Sequence, residues 1–235
     1  VAESVVHIGL LLPEVLGTYG DTGNAQVLCR RLRWRGLDAE VVPVGLGEPV
    51  PSTLDLYLLG GGEDGAQALA AAHLRKHWRS RSRGAVVFGV CAGLQVLGTR
   101  FRGLDGVEHD GLGLLDVTTE AGERRAVAEL VATSSELLGR APLTGFENHL
   151  GVSKLGADSE PLGSVVRGTG NGDGTEGAVT DRVIGTYLHG PALARNPELA
   201  DLLLSWVAGH PLPPLDLPEV DRLRTERLTA TRRRR

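Results

Sequence analysis

Val5-Val-His-Ile-Gly-Leu-Leu-Leu12 is a short, nearly continuous apolar run, the pattern of a strand covered on both faces. Leu54-Asp-Leu-Tyr-Leu-Leu59 and Ala85-Val-Val-Phe-Gly-Val90 repeat it, and Asp38 to Val44 and Val183 to Leu188 read as two further strands. Between the first two strands, Ala25, Leu28, Cys29 and Leu32 fall at helical spacing and share one face. That spacing predicts a helix from about Ala25 to Trp34, stopped by Gly36. Further helices are predicted from about Ala66 to Trp78, from Ala92 to Leu97 and from Leu199 to Val207. Strands alternating with helices imply an α/β fold with a mostly parallel central sheet flanked by helices.

The pattern changes after Arg100. Gly-rich loops alternate with two β-like pieces, Gly113 to Thr119 and Arg125 to Val131, expected as antiparallel strands added beside the parallel core. Gly168 to Gly177, glycine and polar residues, reads as a mobile loop. The organisation expected is one domain over residues 1–210 and a Pro/Arg-rich extension over 211–235, wrapped on the surface or without order.

Composition narrows the function classes. Of 235 residues, 41% are hydrophobic and 23% charged, which suits a globular chain and excludes a mostly disordered one. A net charge of -4 gives no broad cationic field, so nucleic acid is not an expected partner. Two cysteines, Cys29 and Cys91, build no disulfide framework. No apolar stretch reaches the length of a membrane span and the start lacks a signal-peptide pattern, so the expectation is a cytoplasmic protein.

The sharpest chemical signal is Gly89-Val-Cys-Ala-Gly93, directly after an apolar strand and before a helix. A tight strand-to-helix turn there presents a nucleophile, and glycines on either side avoid crowding it. The following helix N-terminus favours thiolate, and the Ala92 N–H can face a developing oxyanion. The competing reading is a buried structural cysteine, the role expected of Cys29 on its apolar helix face. A cysteine nucleophile needs a base, and His189 ends a strand as Cys91 does. His149, in Phe146-Glu-Asn-His149, is second; it could equally be a hydrogen-bonded loop residue. His73 and His77 have metal-ligand spacing, but neighbouring Arg75, Lys76 and Arg79 make a solvated basic helix face the better reading, and no metal site is expected. Gly60-Gly61-Gly62 could bring N–H groups to an oxyanion, or could simply turn the chain. Asp21 or Thr22 in Tyr19-Gly-Asp-Thr-Gly-Asn24 could cap the next helix or face a partner.

Gly60-Gly61-Gly62, Gly89-Val-Cys91-Ala-Gly-Leu-Gln95 and Tyr187-Leu-His189-Gly-Pro together resemble the class I glutamine amidotransferases, in the branch related to cobyric acid synthase. Within it, Tyr19 to Asn24, Gly145 to His149 and Gly185 to Pro191 are similar to the GatD-type subunits of lipid II isoglutaminyl synthases. The resemblance spans roughly Val5 to Pro197. It implies that Cys91 attacks the glutamine side-chain amide, that His189 is base and then acid, and that Gly61 and Ala92 N–H groups hold the oxyanion. It also implies that Arg125 meets the glutamine α-carboxylate and that Gln95 lines the pocket.

Much of the wider class carries a glutamate two residues after the histidine; here that position is Pro191. An orienting acid must therefore come from elsewhere in the chain or from a partner; the resemblance favours the partner, a MurT-like Mur-ligase subunit, and implies weak glutaminase activity alone and full activity in the heterodimer. The partner would use ATP to amidate the α-carboxylate of D-glutamate in lipid II, giving D-isoglutamine for peptidoglycan synthesis. No G-x-x-x-x-G-K-[ST] loop is present, so no cofactor is expected on this chain, and ATP and metal are assigned to the partner. The alternatives are an amidotransferase for a corrinoid acceptor, a cysteine hydrolase of esters or lactones, and a non-catalytic scaffold.

Overall fold

The computed structural model describes residues 5–18, 20–78 and 84–233; Tyr19, Arg234 and Arg235 lie outside them. The chain begins with β1 (Val6–Leu11), α1 (Gly23–Arg33), β2 (Ala39–Val44), β3 (Leu56–Leu59), α2 (Asp64–His77), β4 (Val86–Val90) and α3 (Ala92–Leu97). Next come β5 (Arg100–Arg102), β6 (Glu108–Asp110), β7 (Val117–Ser134), β8 (Pro142–Leu155), β9 (Gly163–Arg167) and β10 (Thr175–Glu176). The chain continues through β11 (Ala178–Thr180), β12 (Val183–Thr186), α4 (Ala192–Arg195), α5 (Pro197–Ala208) and α6 (Pro218–Arg233).

The first sheet has the order β11-β12-β4-β3-β1-β2. All its pairs are parallel except β11 with β12. Every residue of β3, β4 and β12 is buried, as a strand with helices on both faces requires. Leu28, Leu32, Leu74 and Leu203 close those faces from α1, α2 and α5. The α/β fold read from the sequence is the fold observed. β12 lies beside β4 with Thr186 opposite Val90, so the residues that follow the two strands emerge together.

The second sheet runs β10-β9-β7-β5-β6, with β8 also on β7. The two β-like pieces expected after Arg100 are one strand, β7, of 18 residues. Glycine and charge at Gly122-Glu-Arg-Arg125 hide that continuity in the sequence. β8 pairs along both halves and absorbs the interruption as an irregularity between Ala121 and Ala126.

One further expectation changes, and the extension takes a helical form on the surface. The 168–177 segment is pinned: Asn171 is fully buried, its Nδ2 donates to the Gly177 carbonyl at 2.9 Å, and its own carbonyl accepts the Ser153 N–H at 2.9 Å. The extension carries the 16-residue helix α6, whose Arg224 pairs with Glu198 and donates to the Pro142 carbonyl at 2.6 Å.

Candidate active site

Cys91 sits between β4 and α3 with φ 54 and ψ -106, a conformation a non-glycine residue holds only when its surroundings fix it. Those surroundings are close. The Cys91 N–H donates to the Thr186 carbonyl at 2.8 Å and the Gly93 N–H to the Gly60 carbonyl at 3.1 Å. A Cβ on Gly93 would lie 2.6 Å from the Leu59 carbonyl oxygen, and one on Gly89 would lie 2.8 Å from the Gly93 carbonyl carbon. Glycine is required on both sides because β3, β4 and α3 meet at backbone distance.

His189 is buried just beyond β12, its backbone locked to β8: its N–H donates to the Phe146 carbonyl at 2.8 Å and its carbonyl accepts the Phe146 N–H at 3.0 Å. Its Nδ1 lies 3.0 and 3.1 Å from the two carboxylate oxygens of Asp21, and both side chains are almost wholly out of solvent. A Cβ built on Gly61 would stand 2.9 Å from His189 Cε1, 3.1 Å from Asp21 Oδ2 and 3.6 Å from Cys91 Cβ. Thiol side chain, imidazole and carboxylate therefore converge on one point. A carboxylate on the imidazole, expected from elsewhere in the chain or from a partner subunit, is thus present within this chain, 168 residues before the histidine.

Asp21 does not cap α1; neither does Thr22, which stands at the cap position without a side-chain cap bond. The segment interlocks instead with the one after β12. A Cβ on Gly23 would meet Pro191 Cγ at 2.5 Å, and Asn24 Oδ1 accepts the Leu193 N–H at 2.9 Å. These contacts explain why both segments carry small or special residues.

The oxyanion donors fare differently. Asp21 Oδ2 accepts the Gly61 N–H at 2.9 Å, so that N–H is committed and the expected second oxyanion donor is corrected. The glycine run has another reason to exist: a Cβ on Gly60 would lie 2.1 Å from the Leu16 carbonyl oxygen and one on Gly62 2.8 Å from that of Val15. It admits the chain that carries Asp21. The Ala92 N–H is directed at the Cys91 sulfur, where it favours the thiolate.

The thiol itself is pushed up to about 12, chiefly by burial, then by the nearby Asp21 charge; the Ala92 N–H and the Arg125 charge pull the other way. At neutral pH it rests as thiol, so the site needs its base. Arg125 Nη1 donates to Asn148 Oδ1 at 3.2 Å, and the Asn148 carbonyl lies 4.0 Å from Cys91 Sγ. Arg125 thus stands over the thiol from the exposed side, where a substrate carboxylate could meet it. Gln95 lies one turn into α3, its N–H donating to the Cys91 carbonyl at 3.2 Å. Its Oε1 accepts from Gln67 at 2.6 Å, its Nε2 donates to the Tyr187 hydroxyl at 3.0 Å, and with Gln67, Phe101, Ala121 and Leu150 it borders a cavity of about 130 Å³.

His149, the second base candidate, has other partners: Nδ1 faces the Gly151 carbonyl at 2.9 Å, Nε2 faces Glu147 at 3.4 Å, and the ring stacks on Tyr187 at 3.7 Å. Glu147 in turn accepts the Thr169 and Gly170 N–H groups, which with the His149 bond hold its carboxyl below its ordinary value despite burial. Cys29 is buried in the core and its thiol is raised by that burial. No group of histidine, cysteine and carboxylates suited to a metal occurs among the described residues.

Comparisons with known proteins agree with this geometry. Residues 7–197 match the family model of the CobB/CobQ-like glutamine amidotransferase domain. The chain is 34% identical to the lipid II isoglutaminyl synthase (glutamine-hydrolyzing) subunit GatD of Staphylococcus aureus (strain N315), over 89% of this chain and 87% of that one. It is 35% identical to cobyric acid synthase of Sphingopyxis alaskensis over 73% of this chain but 36% of that protein. Among solved structures, a crystal structure of a glutamine amidotransferase superposes with a TM-score of 0.60 at 21% identity, covering 86% of this chain and 98% of that one.

Proposed function

Because the chain belongs to the CobB/CobQ-like glutamine amidotransferases, we propose that Cys91, His189 and Asp21 hydrolyse L-glutamine and that the ammonia goes to a MurT-type, ATP-dependent ligase subunit. That subunit amidates the D-glutamate α-carboxylate of lipid II to D-isoglutamine. The convergence of thiol, imidazole and carboxylate carries the first half of this reading. The second half draws its support from the GatD likeness, which extends over 89% of the chain against 73% for cobyric acid synthase.

Asp21 accepts the Nδ1 proton of His189 and so fixes the tautomer whose Nε2 is basic. Nε2 takes the Cys91 proton as sulfur attacks the glutamine carboxamide carbon. The Ala92 N–H turns from the sulfur to the oxyanion, and Arg125 pairs with the substrate α-carboxylate. The imidazolium then gives its proton to the departing amine, and ammonia leaves. Water, deprotonated by the same nitrogen, cleaves the thioester to glutamate and restores the thiol.

An acid inside the chain removes one reason for turnover to need a partner. The buried, protonated thiol supplies another. A partner that opens the site or brings positive charge to it would lower the thiol's pKa and raise the rate. The test is glutamate release and lipid II amidation by the full chain, with and without a MurT-type ligase and ATP. Partner-dependent amidated lipid II, absent with Cys91→Ser, is the expected result. Glutamine hydrolysis with no amidated lipid II in the complete mixture would move the acceptor elsewhere, and hydrolysis that survives Cys91→Ser would remove the thiol from the mechanism.

A further inference from the structure

Glu176 is fully buried at the end of the glycine-rich segment. Its Oε1 accepts two bonds, from Thr186 Oγ1 at 2.5 Å and from the Tyr187 N–H at 3.0 Å. Oε2 is buried without a hydrogen-bond partner. Thr186 is the hub of the site's backbone. Its carbonyl holds the Cys91 N–H at 2.8 Å, and its hydroxyl oxygen accepts the Leu188 N–H at 3.1 Å, one residue before His189. One oxygen of Glu176 therefore anchors the stretch that joins the backbone of the nucleophile to that of the base.

Burying a carboxyl with one unpaired oxygen is costly, and the carboxyl is pushed up to about 7, mainly by that burial. The charged groups that face it are His149, which opposes the rise, and Glu147, which adds to it, both on β8. Thr186, Tyr187 and the Gly170 backbone complete its surroundings. A glutamine could accept the same two bonds through its amide oxygen but could not ionise, so only a carboxyl makes their strength depend on pH.

We propose that Glu176 is a positioning residue for the glutamine-hydrolysing reaction: through Thr186 and Tyr187 it fixes the relative placement of the Cys91 thiol and the His189 imidazole. This deepens the glutaminase reading and rests on it. The carboxylate accepts both bonds more strongly when ionised, so the clamp tightens as pH rises through its titration.

The test uses the full chain and two readouts: glutamine hydrolysis, and the pH profile of Cys91 alkylation by iodoacetamide, which needs no glutamine. Glu176→Ala, checked for folding by circular dichroism, is expected to lose at least about tenfold in kcat with KM changed less than about threefold. Its alkylation profile should also move, because the imidazole no longer meets the thiol in register. Glu176→Gln should recover most of the kcat of the alanine variant's loss and flatten the pH dependence. If Glu176→Ala does not fold, Thr186→Val removes the hydroxyl link alone and should show the same kcat loss and profile shift.

A folded Glu176→Ala, or Thr186→Val in its place, with wild-type kcat and alkylation profile overturns the inference. So does a Glu176→Gln variant no better than alanine. A wild-type chain that alkylates at Cys91 but never hydrolyses glutamine, with or without a ligase, is a different failure: it sinks the glutaminase reading, not the placement of the thiol by Glu176.

Discussion

At the scale of single residues, the site turns on a carboxylate that the sequence does not advertise. Cys91 and His189 are legible because each follows an apolar strand, and strand ends in parallel α/β folds gather functional groups. Asp21 does not end a strand; it comes late in the loop that leads from β1 to α1. The loop's Asp and Thr fit helix capping equally well, and the partner of Asp21 is 168 residues away. No local pattern encodes that pairing. Gly61 was legible as a glycine needed near the site, but not for its reason, which is room for Asp21 and the imidazole. Gly61→Ala places a methyl 2.9 Å from His189 Cε1, against a backbone-fixed ring. We expect a kcat loss of roughly tenfold or more with the fold intact, read by glutamate release and circular dichroism. Cys91 gives a second prediction at this scale. With its thiol pushed up to about 12, alkylation of the free chain should be slow at neutral pH and climb steadily into the alkaline range. A plateau near pH 7 would mean that the thiol is already ionised.

At the scale of elements, the strands and helices of the parallel core follow from apolar runs and helical spacing, since burial on two faces leaves a plain signature. β7 and α6 do not. β7 is held together by its pairing with β8 across a polar, glycine-containing interruption, a long-range cause invisible in a local window. α6 presents mostly polar side chains, and its docking rests on Arg224 with Glu198 and the Pro142 carbonyl. The join between the sheets and the helices after β12 is sharper. Buried Asn196 accepts the Thr144 N–H at 2.9 Å through Oδ1, and its Nδ2 donates to the Thr144 and Ala192 carbonyls at 2.9 and 2.8 Å. Asn196→Ala strands these groups in the interior, so it should cost about 2–4 kcal/mol in chemical denaturation. A cost below about 0.5 kcal/mol would show that β8 holds α4 without it.

At the scale of the whole molecule, buried carboxyls set the response to pH from opposite sides. Arg31 and Arg35 clasp Asp201, and Thr169, Gly170 and His149 hold Glu147, so both carboxyls titrate below their ordinary values. Their stability contribution is present above the unfolded-state carboxylate range and is lost as pH falls through the folded values. Glu176 acts in reverse. Its folded pKa, about 7, exceeds the ordinary 4.5, so its contribution is full at low pH and is lost as pH rises through 7. Thermal melts should therefore peak between these limits, with Glu176→Gln removing the alkaline decline and leaving the acid side unchanged. An alkaline decline that persists in Glu176→Gln would assign it to another group. The design this suggests is a rigid core that holds a strained nucleophile, with some stability given up to place it.

The central claim is that this chain contains its own acid for the catalytic histidine. Glutamate release by Asp21→Asn, measured beside wild type and Cys91→Ser both alone and with a MurT-type ligase, tests it most directly. The account predicts a fall in kcat on the order of 10²–10⁴ in both settings, with KM little changed, because the amide leaves the geometry but not the charge that orients and stabilises the imidazolium. An Asp21→Asn chain that turns over within about threefold of wild type would contradict it and return the search for the acid to the partner.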